Sequence, residues 1–205
     1  MISLRRRAFA LMGVVMLALG CAGAGSPQTR YYLLPPPPAV VAEALDREGI
    51  RLQIRSLELP HYLDRSQLVS REGEGESVMV LAETEQWGGS LRGQIASFVV
   101  LDLMQKIGSA QVALAPDRLP GRVDLSLELE ILRFERGSDQ RVHLTAQWRL
   151  LRGESLLRFE VTPLHGSRTV GRQGLAGVAG EMGVLLQQFT SVVAAAVVAE
   201  SERLQ

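Results

Sequence analysis

Val123-Asp124-Leu125-Ser126-Leu127-Glu128-Leu129-Glu130-Ile131 and Arg141-Val142-His143-Leu144-Thr145-Ala146-Gln147-Trp148-Arg149-Leu150 decide the fold of this chain. In each stretch apolar residues alternate with polar ones, the period of a half-buried strand. Gly137-Ser138-Asp139 lies between them and supplies a tight turn. One dry face and one wet face is the pattern of antiparallel pairing. The outward acids of the first strand are expected to meet Arg141 and Arg149 of the second, at ~0.2–1 kcal/mol per cross-strand pair. A third strand is expected near Ser155 to Thr162.

Towards the N-terminus the pattern changes period. Gly88-Gly89-Ser90 opens a helix with Ser90 as N-cap, and Gly108 stops it after Ile107. Its middle is apolar nearly all round (Ile95, Phe98, Val99, Val100, Leu101, Leu103, Met104), so cover is expected on more than one side. Sheet is one cover. Another helix or another subunit is the other. Gln67 to Arg71 and Ser77 to Ala82 read as a hairpin around Glu72-Gly73-Glu74-Gly75-Glu76. Ile50 to Leu59 has strand period with a slip near Ser56-Leu57, which predicts a bulge or a strand end. A short strand is expected near Gln111 to Leu114.

Towards the C-terminus, Val178, Met182, Leu185, Leu186, Phe189, Val193, Ala196 and Val197 form one helical stripe. This predicts a helix from about Val178 to Arg203. Glycines recur at Gly171, Gly174, Gly177, Gly180 and Gly183. Each one inside a helix costs ~1 kcal/mol relative to alanine, so a loose loop to about Gly177 is expected. Close helix packing is the lesser alternative. Strands, helix, strands, helix make an α/β fold, with α+β as the alternative: a mixed, largely antiparallel sheet packed with two main helices in one domain.

The N-terminus carries a different message. Arg5, Arg6 and Arg7 precede an apolar run from Ala8 to Leu19, and Gly20-Cys21 follows. About 12 apolar residues are too few for the ~20 of a membrane-spanning helix. A basic start, a short apolar stretch and small residues at the cut make a secretory signal. The cysteine at the cut resembles a lipobox, which implies a diacylglyceryl thioether on Cys21 and an acylated α-amine. Two or more acyl chains, at ~0.8 kcal/mol per buried CH₂, make a stable membrane anchor. Ala22 after the cysteine implies sorting to the outer membrane, as in enteric-type bacteria. Export by the general or the twin-arginine route stays open. Residues 1–20 are thus a signal peptide, 21–47 a lipidated cysteine with a Pro-rich tether, and 48–205 the folded domain. Pro35 to Pro38 favour extended polyproline II. Tyr31-Tyr32-Leu33-Leu34 is too apolar for pure linker and is expected to pair as an edge strand or to pack on the body.

Composition narrows the function. The full chain balances 22 basic against 22 acidic residues, and cleavage removes three arginines and no acid. A slightly acidic mature chain gives no reason to expect nucleic acid. Cys21 is the only cysteine, so lipidation leaves no disulfide, thiol nucleophile or cysteine metal site. Lys106 is the only lysine. His61, His143 and His165 are far apart, and no catalytic or metal role is expected for them. Glu128 and Glu130 read as solvated strand acids. No G-x-S-x-G or phosphate loop is present, and no cofactor is expected.

Several short blocks together resemble one family. They are Tyr31-Tyr32-Leu33 after a lipidated cysteine, Pro60-x-Tyr62-Leu63-Asp64-Arg65-x-Gln67-Leu68-Val69, Trp87 with Leu91, Leu129-x-x-Leu132-Arg133-Phe134-Glu135, and Trp148-Arg149-Leu150-Leu151. The chain resembles the ABC-type transport auxiliary lipoproteins over essentially its whole mature length. The Tyr-Leu-Asp-Arg-x-Gln block is the most specific part. Asp102 departs from the pattern, standing where asparagine is common, and so does the glycine-rich start of the last helix.

The resemblance implies a mixed-sheet α/β sandwich and a non-catalytic lipoprotein at the outer-membrane end of an envelope phospholipid transport system. Its partner would be an MCE-domain protein. Loops carry binding, so Tyr62, Leu63, Asp64, Arg65 and Gln67, together with Trp87, are the expected recognition surface. Self-association into a ring is a further expectation, from the over-apolar first helix. The competing function is a carrier that itself encloses an acyl chain, which needs a cavity lined by apolar strand faces. An envelope hydrolase is the third reading, and it lacks a nucleophile–base set.

Overall fold

The computed structural model describes residues 28–39, 45–170 and 174–203. The expected signal peptide, Cys21, the tether from 22 to 27 and the glycine loop at 171–173 lie outside these. Among the described residues, eight strands and two α-helices follow in order. They are β1 (Arg30–Tyr32), β2 (Leu52–Glu58), β3 (Gln67–Glu72), β4 (Val78–Trp87), α1 (Leu91–Ile107), β5 (Val112–Leu114), β6 (Leu125–Arg136), β7 (Val142–Arg152), β8 (Ser155–His165) and α2 (Leu175–Glu202).

The sheet is organised by β6. One of its edges pairs antiparallel with β7, which pairs antiparallel with β8. The other edge is shared. β2 runs parallel along the first half of β6, from Leu52↔Leu125 to Glu58↔Glu130. β3 joins parallel at the far end, through Ser70↔Arg136. Beyond this fork, β5 lies parallel to β2, β4 antiparallel to β3, and β1 parallel to β4. The fold is therefore a mixed α/β sheet, and its longest pairings are the antiparallel ones read from the sequence.

The alternation holds where it was strongest. Val142, Leu144, Ala146, Trp148 and Leu150 are all fully buried, as are Leu125 and Leu127. Arg149 reaches Glu128 at 3.6 Å, whereas Glu130 accepts from Gln147 Nε2 at 3.0 Å. A bulge between Ile131 and Arg133 reverses the phase of β6. It puts Leu132 outside and Phe134 in the core, and it lets the strand run on to Arg136. A second register shift, in β2 between Ile54 and Ser56, coincides with the slip in the sequence period.

α2 packs on β6, β7 and β8; α1 packs on α2, β5 and β2. α1 starts as expected: Ser90 Oγ accepts from the Gly93 N–H at 3.3 Å. It ends at Gly108, whose φ of 66° suits glycine. Leu91, Ile95, Phe98, Val99 and Leu103 are buried, while Leu101 stays exposed. α2 is long and apolar enough to cross a membrane by length and composition. Its stripe from Val178 to Val197 is nonetheless buried in the protein core.

One expectation changes. α2 begins at Leu175, so Gly177 is helical rather than the end of a loop, while Gly180 and Gly183 lie inside the helix as expected. The reason is close approach: a Cβ on Gly177 would lie 3.0 Å from Val170, and one on Gly183 3.2 Å from Pro35. Burial of Val178, Met182, Leu185 and Leu186 offsets the glycine cost. Tyr31 and Tyr32 pair as the expected edge strand, and Leu34 packs on the body. β1 pairs with β4, the Gly88 N–H donates to Tyr32 O at 2.8 Å, and the buried Leu34 donates its N–H to Gln94 Oε1 at 2.8 Å.

Candidate interaction loop at the sheet fork

The fork in the sheet leaves a gap between β2 and β3, and residues 59–66 fill it. The Leu63 N–H donates to Pro60 O at 2.9 Å, closing a tight turn, and the Trp87 N–H donates to Ser66 O at 2.6 Å. Leu59, Leu63 and Trp87 are buried and peg the loop to the core. The void among Leu63, Leu68, Trp87, Leu91, Phe134 and Met182 is only about 10 Å³.

Tyr62 is half-buried and turns towards β6. Its hydroxyl donates to Glu135 Oε2 at 2.9 Å. The Phe134 N–H donates to the same oxygen at 3.0 Å. The other oxygen, Oε1, takes Arg71 Nε at 2.8 Å and Arg133 Nε at 3.0 Å. The Glu135 side chain has 0% exposure. A carboxylate buried this deeply requires charge partners and hydrogen bonds on both oxygens, and it has them. The Arg71 guanidinium also lies over the Tyr62 ring, 5.0 Å from its centroid, a cation–π contact. Burial holds the Tyr62 phenol above its ordinary pKa, and the neighbouring Glu135 charge acts in the same sense.

The six residues expected to bind a partner thus divide. Leu63 and Trp87 are core residues that seat the loop. Tyr62 is its polar brace. Asp64 is exposed, and Arg65 and Gln67 are half-exposed, so these three present the surface. Glu135, Arg71 and Arg133 hold the loop in place, and the sequence reading assigned them no such role. One signal was available. An acid two residues past a bulge alternates to the outer face of β6, and only tertiary cover by Tyr62 and Arg71 makes it buried.

A second feature lies on the tether side. Leu33, Pro35, Pro36, Pro37, Phe98 and Leu101 line an open apolar groove of about 510 Å³. It is formed where the chain from β1 crosses α1.

The sequence model for the ABC-type transport auxiliary lipoprotein component matches residues 31–194. The chain belongs to this family. It is an auxiliary lipoprotein of ABC-type transport, a membrane-associated role. The match begins at β1 and takes in the loop, the fork and most of α2. Among solved structures, a Xanthomonas campestris protein of the DUF330 family is similar with a TM-score of 0.62 at 16% identity, covering 87% of this chain and 97% of its own. A crystal structure titled only as an uncharacterized protein gives a TM-score of 0.57 at 20% identity, covering 84% and 98%. These two share the fold. Among curated proteins none matches.

Proposed function

We propose that this auxiliary lipoprotein is the non-catalytic, outer-membrane component of an MCE-type phospholipid transport system. Acyl chains on Cys21 hold it to the periplasmic face of the outer membrane. The loop at 59–66 docks a periplasm-spanning MCE-domain partner, with Asp64, Arg65, Gln67 and the edge of Tyr62 making contact. Leu63 and Trp87 keep that surface in shape from beneath. The observation that carries this reading is the family match across residues 31–194, which contains the loop. The loop's brace supports it: an ordered, charge-bearing surface at a sheet fork is suited to protein recognition, since little ordering entropy is lost on docking.

The test is co-purification from native membranes. Wild-type protein is expected to retain its MCE partner in detergent. Asp64→Arg with Arg65→Glu, in a protein that still folds, is expected to lose it. Cys21→Ser is expected to move the protein from the membrane to the soluble periplasmic fraction. Retention of the partner by the double variant would remove the loop from the interface. Membrane attachment of the serine variant would remove the lipid anchor. The groove beside Phe98 favours a second reading, in which this protein itself holds an acyl chain in transit.

A further inference from the structure

Two hairpin turns meet away from the loop, and three metal-ligating side chains converge between them. Glu76 comes from the turn joining β3 to β4, Asp139 from the turn joining β6 to β7, and His143 from β7. One ligand atom from each lies within 4.8 Å of the other two. His143 Nε2 is 3.0 Å from Asp139 Oδ1. The three atoms crowd the open side of Gly137. A Cβ there would collide with Glu76 Oε1 and lie 2.9 Å from both Asp139 Oδ1 and His143 Nε2. Position 137 therefore has to be glycine for the three groups to approach one another.

We propose that Glu76, Asp139 and His143 bind a divalent cation of the zinc class and clasp the two turns together. The donor set is one imidazole nitrogen and two carboxylate oxygens. Imidazole favours zinc and its neighbours over magnesium or calcium. Tetrahedral ligands at ~2.0–2.2 Å from the ion stand about 3.4 Å apart, so His143 Nε2 and Asp139 Oδ1, at 3.0 Å, part slightly to admit it, and water takes the fourth position. On binding, His143 gives up its contact with Asp139 and coordinates as neutral imidazole.

The surroundings already orient the ligands, as outer partners do in metal sites. Arg133 holds Glu76 Oε2 at 2.7 Å, which leaves Oε1 turned towards the cluster. The Ser138 N–H donates to Oε1 at 3.0 Å, and the Arg141 N–H to Asp139 Oδ1 at 3.0 Å. His165, across the strand pair, has its ring centroid 6.5 Å from that of His143. Asp139 stands four residues before His143, a metal spacing that goes unnoticed in a search for paired histidines. Arg133 bridges Glu76 to Glu135, which accepts from Tyr62 of the recognition loop, so two ion pairs and a hydrogen bond link the clasp to that loop. The clasp does not depend on the proposed function.

Calorimetry with the full chain, stripped with chelator and purified in detergent, tests the site. Zinc chloride is expected to bind saturably at one ion per chain, and magnesium chloride is expected not to bind. His143→Ala and Glu76→Gln are expected to weaken zinc binding at least tenfold, and His61→Ala is expected to leave it unchanged. NMR of the wild-type histidine rings gives a second readout that no misfolded variant can confuse. Zinc is expected to shift the His143 resonances and not those of His61. Absence of zinc binding, or binding that leaves the His143 resonances unmoved, overturns the proposal.

Discussion

Glu135 has no exposed side-chain surface and is held by Tyr62, Arg71, Arg133 and the Phe134 N–H. Removing one partner of a buried ion pair strands the other charges. Glu135→Ala is therefore expected to destabilise the protein by about 3–5 kcal/mol, read from the denaturant midpoint. A loss below about 1 kcal/mol would mean that the arginines find water instead. Tyr62→Phe removes one hydrogen bond to a charged acceptor and is expected to cost about 1–2 kcal/mol. Tyr62 also has a pH signature. Burial, seconded by the Glu135 charge, raises its folded pKa above the unfolded value of about 10. The neutral phenol is thus favoured in the folded state. That contribution is fully present below pH ~10 and is lost as pH rises through the folded value. Wild-type stability is expected to fall more steeply above pH ~10 than that of Tyr62→Phe. Parallel alkaline profiles would show that the phenol ionises alike in both states.

Between the helices the only lysine forms a polar tie. Lys106 Nζ donates to Asp102 Oδ2 at 2.6 Å, to Gln187 O at 2.5 Å and to Thr190 Oγ1 at 2.7 Å. The Thr190 hydroxyl donates in turn to Asp102. Asp102 is 1% exposed, so the tie is buried where α1 packs on α2. Asp102→Ala leaves an ammonium without its counter-charge and is expected to cost about 2 kcal/mol or more. Asp102→Asn keeps an acceptor and is expected to cost less than half as much, measured by the same midpoint. Equal losses would show that charge, not hydrogen bonding, holds the tie. The glycines of α2 are separable too. Gly183 faces Pro35, whereas Gly180 has open space at its Cβ position. Gly183→Val is expected to push Pro35 off the helix and open residues 28–39 to proteolysis. Gly180→Ala is expected to be neutral or to gain up to ~1 kcal/mol. Protection of the tether in the Gly183 variant would show that Pro35 yields without detaching.

At the scale of the whole molecule, the core is filled by side chains. Trp148, Phe134 and Phe189 are all nearly or fully buried, and the void beside Leu63 and Phe134 is about 10 Å³. The void beside Leu63 and Phe134 is too small for an acyl chain; a groove of about 500 Å³ beside Ala194, Ala195 and Val198 and the groove of about 510 Å³ beside Phe98 are open ones. The delipidated protein is expected not to extract phospholipid from vesicles. Extraction that is lost in Phe98→Asp, with folding retained, would restore the carrier reading and place the lipid in that groove.

The sequence by itself determined the elements. Strict alternation in 125–131 and 142–150 can bury only one face of a strand. Ser90 and Gly108 can satisfy the ends of only one helix, and the 3.6-residue stripe of α2 needs a core to lie on. These are local or periodic signals, and each reads the same before and after folding. The parallel pairings of β1, β2, β3 and β5 carry no such signal. A parallel partner is brought in from far along the chain, and its apolar pattern does not name its neighbour. The tertiary structure alone decided that β2 and β3 share one edge of β6, that the loop at 59–66 bridges the gap, and that an outward acid, Glu135, is buried beneath it. It also decided that α2 starts among glycines, because only the packed protein supplies Val170 and Pro35 to fill the space a side chain would take.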